Sequence, residues 1–159
     1  MPRSKKAPMA NFDPTFCLPP DQLKEYLKSH YRSILRLIKT IYFNKQSPEK
    51  MNMRADPNSQ DKLIIIKDKH WVLENKDYVL DTLILELWSK LYNCFISLNQ
   101  QQFRAELTCN DTYARIEAFM EDFRDFCNNG PNIAWNEQKR LAYNFITFLS
   151  KKQRAKIRL

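Results

Sequence analysis

Cysteine, histidine and carboxylate side chains are where catalysis or metal binding would have to begin in this chain, and their spacing argues against both. Cys17, Cys94, Cys109 and Cys127 form no C-x-x-C pair, and only His30 and His70 are present to complete a zinc site of ordinary ligand spacing. A Cys–His nucleophilic pair needs a histidine beside a cysteine and an acid to orient it. His30 falls on the apolar stripe of a helical pattern and His70 opens a strand beside Trp71, so both read as structural. Cys94 and Cys127 fall on apolar helix faces and read as small core residues. Glu117, Glu121, Asp122 and Asp125 recur as the exposed face of a helix, not as an opposed acid–base pair in a cleft. An enzyme built on this chain would have only Cys109 or His30 as its centre. One glycine in 159 residues leaves no glycine-rich loop to cradle a phosphate. The expectation is a non-enzyme with no catalytic residue, no cofactor and no metal.

Charge is the stronger signal. Arg3, Lys5 and Lys6 at one end, with Lys151, Lys152, Arg154, Lys156 and Arg158 at the other, account for the whole net charge of +8. The body, residues 9–150, is neutral, with 18 basic and 18 acidic residues. Basic ends of this kind seek polyanions or acidic protein surfaces. A third cationic feature is the run Lys24, Lys28, Arg32 and Arg36 at i, i+4 spacing, with Lys39 nearby. Like charges so placed oppose helix formation by a few tenths of a kcal/mol each, about 0.2–0.5. The run reads either as a contact for phosphates or acidic protein, or as a solvated face. The segment KKQRAKIRL has Ile157 and Leu159 as its only hydrophobes, too few for a membrane-surface helix. Asp81, Glu86 and Lys90 interrupt the most apolar stretch, and no secretory leader precedes the body, so a soluble, reduced, intracellular chain is expected.

The elements that must position these groups follow from periodicity. Residues 1–20 hold five prolines and no helical period, which predicts an extended arm able to reach about 65 Å at roughly 3.3 Å per residue. Phe12, Phe16 and Leu18 punctuate it as anchors for a partner. Leu23, Tyr26, Leu27, His30, Ile34, Leu37, Ile38 and Ile41 predict one long helix over residues 21–43. A polar loop follows, with a short edge strand over 51–54. Lys62–Lys67, an Asp68-Lys69 turn and a strand over 70–74 make a hairpin. Asn75 caps a second long helix to residue 98, apolar on more than one face and therefore central. A third helix, capped by Asn110 or Asp111, runs to about Cys127 with Ile116, Phe119, Met120, Phe123 and Phe126 inward. It stops at Asn128-Asn129-Gly130-Pro131. Asn136 caps a last helix that buries Leu141, Phe145, Phe148 and Leu149. The aromatics, three Trp, ten Phe and seven Tyr, sit mostly at helical spacing among Leu and Ile and read as core, not as a platform for bases.

The segments "IYFNKQSPEKMN" and "DKLIIIKDKHWVLENKDYVLDTLI" resemble a domain that recurs in uncharacterised proteins of nucleocytoplasmic large DNA viruses of the mimivirus and phycodnavirus kind. The resemblance rests on Tyr42, Phe43, Asn44, Pro48, Glu49, Asn52, Trp71, Leu73, Asn75, Lys76, Asp81 and Leu83, and covers residues 30–85. Met51 stands where the family usually has histidine. Several members carry an N-terminal zinc finger, which hints at nucleic acid; this chain has only Cys17 in that region. The resemblance implies a viral origin and a shared scaffold, but no activity. Within that scaffold Asn44, Pro48, Trp71 and Asn75 are expected to set the loop, cover the hairpin against the following helix and cap it.

The resulting expectation is a mainly α (α+β) fold. It is a four-helix-type domain with a small β-hairpin or three-stranded sheet between the first two long helices. The arm spans 1–20, the body 21–150 and the basic tail 151–159. The expected role is a structural or interaction protein of a large DNA virus, a minor capsid or internal virion-assembly component tethering neighbours through arm and tail. Its expected location is the virion, and the infected-cell cytoplasm or nucleus during assembly. Its partners would be other virion proteins, with double-stranded DNA possible and neither a membrane span nor a small-molecule substrate. The alternative is a sequence-nonspecific DNA-binding or genome-organising protein, gripping phosphates without reading bases.

Overall fold

The β-branched run Lys62–Lys67 forms the central strand of a three-stranded antiparallel sheet ordered β1-β2-β3, with β1 at Met53–Ala55, β2 at Lys62–Lys67 and β3 at His70–Asn75. The structure is a computed structural model that describes residues 11–14 and 18–157. Asp68 and Lys69 join β2 to β3 with φ of 51° and 68°. Two successive left-handed residues are the geometry of the two-residue hairpin turn that matches strand twist. Register is set by Leu63 opposite Glu74 and Ile65 opposite Val72, with Met53 opposite Ile65 on the other side. Strand alternation therefore turns Met53, Ala55, Leu63 and Ile65 to the core, all of them buried.

Around this sheet lie α1 (Pro20–Leu27), a 3-10 turn (His30–Arg32), α2 (Ser33–Tyr42), a second 3-10 turn (Pro48–Lys50), α3 (Lys76–Ser97), α4 (Gln100–Glu106), α5 (Asn110–Asn129) and α6 (Ile133–Ile157). The mainly α, α+β architecture is as the periodicity predicts. Helix α3 is central, packing against α1, α2, α5, α6 and the sheet. Its start is fixed by Asn75, whose side chain accepts the Tyr78 N–H at 3.1 Å. Trp88, fully buried, stacks on Phe119 of α5 at 4.5 Å, and Trp135 of α6 stacks on Phe126 at 3.7 Å. Each such ring removes about 150–250 Å² from water, about 4–6 kcal/mol gross. That outweighs helix propensity, so the ring stack seats α5 and α6 on α3.

Several boundaries differ from the sequence reading. The expected helix over 21–43 is broken between α1 and α2, where His30 takes φ 40°. Buried Ser33 turns its hydroxyl onto the Tyr26 carbonyl at 2.6 Å, and Arg36 donates to the Ser29 hydroxyl at 2.5 Å. The backbone there tightens to 3-10 bonds, Ser29 N–H to the Tyr26 carbonyl at 3.0 Å and Arg32 N–H to the Ser29 carbonyl at 2.9 Å, and these side-chain bonds add to them. The edge strand sits at 53–55 instead of 51–54. Helix α4, unforeseen, is capped by Asn99, which accepts the Gln102 N–H at 3.0 Å. Cys109, not Asn110 or Asp111, occupies the cap position of α5. Helix α6 starts three residues before Asn136, and Asn132 caps it by accepting the Trp135 N–H at 2.7 Å. Its buried stripe is Trp135, Gln138, Ala142, Ile146 and Leu149, which leaves Phe148 51% exposed. Cys94 is buried as expected, whereas Cys127 is exposed. Gly130, the one glycine, ends α5 with φ 87°, where its freedom is needed.

Candidate functional site

The basic C-terminal end is positioned by α6, a 25-residue helix about 37 Å long. Near its end Leu149 and Ser150 are buried. The Ser150 hydroxyl accepts the Ala55 N–H of β1 at 2.9 Å and donates to the Ile146 carbonyl at 2.6 Å. One polar side chain therefore ties the root of the tail to the edge of the sheet. Lys151 and Lys152, immediately beyond, are exposed, and the Lys152 ammonium lies 4.8 Å from the centre of the Phe148 ring. The side chains of Arg154 and Lys156 lie outside the described residues, as do Arg3, Lys5, Lys6, Phe16, Cys17 and Arg158 entirely.

The cationic run of the first helix does not form one continuous stripe. Lys24 pairs with Glu106 of α4 at 2.9 Å, which also raises its pKa. Lys28 pairs with Glu25 at 2.8 Å, and the Arg36 guanidinium lies 4.9 Å over the Tyr26 ring. Arg32 and Lys39 are exposed. The break between α1 and α2 separates the first two cations from the last two. Their carboxylate, hydroxyl and aromatic neighbours satisfy much of what a phosphate would have met.

The described part of the arm is bound to the body of its own chain. Asn11 accepts from Asn52 Nδ2 through its backbone carbonyl at 3.0 Å and from the Lys69 N–H through its side chain at 2.9 Å. The Phe12 N–H donates to the Ile66 carbonyl at 2.7 Å, and the Phe12 ring packs on Tyr42 at 5.5 Å. The Tyr42 hydroxyl donates to the Asp13 carbonyl at 2.6 Å, and burial first, then Asp13 and Glu86, hold its pKa far above the ordinary phenol value. Leu18 packs against the core. Phe12 and Leu18 thus anchor the described part of the arm to the body of this chain.

Of the scaffold positions, Asn75 caps α3 and Pro48 opens a 3-10 turn. Asn44 closes a local turn, its side chain accepting the Gln46 N–H at 3.0 Å. Trp71 departs from expectation. It does not cover the hairpin against α3 but lies on the opposite face of the sheet, 39% exposed, with the Arg54 guanidinium 4.2 Å from its ring centre. The alternation of KLIIIK, apolar on both faces, concealed this.

The remaining polar groups are held locally. Lys139 bridges Asp77 at 3.1 Å and Asp81 at 2.9 Å. Burial depresses its pKa, but hydrogen bonds and charge from Asp81 and Asp77 outweigh that and leave it raised. A cleft of about 370 Å³ beside it is lined by Lys76, Arg140 and Tyr143, where Arg140 pairs with Glu137 and Lys76 lies 4.4 Å over the Tyr143 ring. His30 is partly buried; burial first, then Arg115 and Arg32, push its pKa down. Its surroundings are cationic, with no carboxylate among the charges that shift it. His70 is exposed on β3. Burial raises the Cys94 thiol, which opposes thiolate formation. Among the described residues no three His, Cys, Asp or Glu side chains cluster as metal ligands, and no helix is long and apolar enough to cross a membrane. What the described groups offer is surface chemistry: exposed cations at the end of α6, and a cation stacked on an exposed indole at the sheet. No family of known proteins, no curated protein and no solved structure matches the chain.

Proposed function

We propose that this chain is a non-enzymatic structural and interaction protein of a large DNA virus, a minor capsid or internal virion component that ties neighbours together through its basic C-terminal end. The observation that carries the reading is the course of α6. It is pinned to β1 at Ser150 and passes directly into a segment whose five cations have no acid among them. A neutral body with a cationic extension of fixed origin suits a tether, because the body can pack while the extension finds an acidic surface. The viral setting rests on the likeness of residues 30–85 described above. The contacts of Phe12 and Leu18 with the body of this chain move the weight of the tethering role to the tail.

The test is binding of the full chain and of a variant with Lys151, Lys152, Arg154, Lys156 and Arg158 changed to Gln. Targets are particle proteins and a random DNA duplex, each at low and moderate salt. The proposal expects tail-dependent capture of an acidic virion protein and no retained duplex binding at moderate salt. Strong duplex binding whose logarithmic salt slope falls by up to about 4.5 in the variant would replace the tether reading with the genome-organising one.

A further inference from the structure

The outward face of the sheet carries its own binding chemistry. Arg54 lies opposite Ile64, Leu73 lies opposite Ile64 from the other side, and Trp71 lies opposite Ile66. Alternation therefore puts Arg54, Lys62, Ile64, Ile66, Trp71 and Leu73 on the face turned away from the helices, with Ile66 buried beside Trp71. Arg54, on β1, reaches across β2 to lay its guanidinium on the Trp71 ring of β3 at 4.2 Å. Trp71 is 39% and Leu73 58% exposed, whereas Trp88 and Trp135 are buried. No outward strand position of this face carries a carboxylate, and neither Arg54 nor Lys62 has an acidic partner among the described residues. The same β1 strand, through Ala55, holds Ser150, so exposed Lys151 and Lys152 leave the body at the margin of this sheet.

We infer that this face binds single-stranded nucleic acid. An unpaired base stacks on the Trp71 indole, extending the planar pile begun by the Arg54 guanidinium. Flanking phosphates meet Arg54 and Lys62, and the strand continues toward the lysines at the root of the tail. Charge complementarity selects this occupant: a face with cations and no carboxylate at its described strand positions, bearing an exposed indole, suits a polyanion with flat faces. A duplex offers no unpaired base for Trp71. The inference does not rest on the tether reading, since it places a second contact on a different element.

The test is tryptophan fluorescence of the full chain during titration with oligothymidylate of about 12 nucleotides. Trp71 is the exposed indole, so saturable quenching reports directly on it. The expected result is quenching at moderate salt; read instead by the anisotropy of a dye-labelled oligothymidylate, since the Trp71 variants lack that indole, affinity should be about tenfold lower for Trp71→Leu and nearly unchanged for Trp71→Phe. Arg54→Gln should weaken binding and reduce its salt dependence. The tail-neutralised variant should bind more weakly but keep the quenching. Equal affinity in Trp71→Leu and the native chain, or binding without quenching, would overturn the inference and assign the contact to the tails. No binding of the oligonucleotide would also overturn it, and leave an acidic protein as the occupant of the face.

Discussion

Replacing Ser150 by alanine should loosen the joint between α6 and the sheet by an amount the geometry defines. Ser150 is 1% exposed, and its hydroxyl is the acceptor for the Ala55 N–H, itself on a residue only 3% exposed. In Ser150→Ala that amide loses its acceptor in a site closed to water. The cost of an orphaned buried donor is about 1–3 kcal/mol. Two gains offset part of it. Alanine is the better helix former by about half a kcal/mol, and the bond from the hydroxyl to the Ile146 carbonyl, which bends helices slightly, disappears. The net expectation is a loss of about 1–2 kcal/mol, or about 2–8 °C in midpoint for a chain of this size.

Urea and thermal unfolding followed by far-ultraviolet circular dichroism give the first number. Hydrogen exchange gives the decisive one. The Ala55 amide should lose protection more than the amides of β2, because β1 is the strand whose outer side α6 covers. If stability moves by less than about 0.5 kcal/mol and Ala55 protection is unchanged, Ser150 is not the joint. The account of how the tail is aimed would then fail with it.

Other perturbations test other parts of the fold. Asn75→Ala should cost about 1 kcal/mol in urea unfolding by removing the cap on the Tyr78 N–H, while Asn75→Asp should retain stability near a helix N-terminus; equal loss in both would remove the capping role. Lys69→Gly should stabilise by about 1 kcal/mol, since Lys69 holds φ 68° and glycine takes that conformation freely. Its N–H bond to the Asn11 side chain is kept, so a destabilised variant would contradict the turn geometry. His30 has a folded pKa below its ordinary value of about 6.5, held down by burial first and by Arg115 and Arg32. The folded state then binds fewer protons than the unfolded one, so this contribution is intact above about pH 6.5 and is lost as pH falls toward the folded value. His30→Asn, which tolerates φ 40°, should flatten the decline in unfolding midpoint between about pH 7 and about pH 5; identical slopes would remove His30 from the account.

How much of this was legible beforehand depended on whether the deciding contact was local. The β-branched run, the Asp68-Lys69 turn, the Asn75 cap and the stop at Gly130 are set by neighbours within a few residues, and all were readable. The break at His30 was not, because the apolar period passes through it without a fault. It arises where the Ser33 hydroxyl, seven residues on, takes the Tyr26 carbonyl. The phase of α6 was misread for a related reason. Phe145 and Phe148 looked like the buried face, yet it is Ala142 and Ile146 that are fully buried, and the larger Phe148 is turned outward. Only packing against a specific partner decides between two such stripes.

Trp71 shows the same limit on the functional side. Period-two alternation states which residues share a face of a strand, but not which face the helices cover. In β2 both faces are apolar, so the pattern offered no choice. The assignment comes from α3 and α6 lying on the side of Leu63 and Ile65, which leaves the Arg54–Trp71 pair outside. A large indole left exposed there gains little from burial, and a guanidinium resting on it suppresses the aggregation that a bare apolar edge would invite. Solubility alone would be served as well by two polar residues. What the pair adds is a flat, cationic surface beside the root of a cationic tail, and that conjunction, rather than any one residue, is the feature that calls for a ligand.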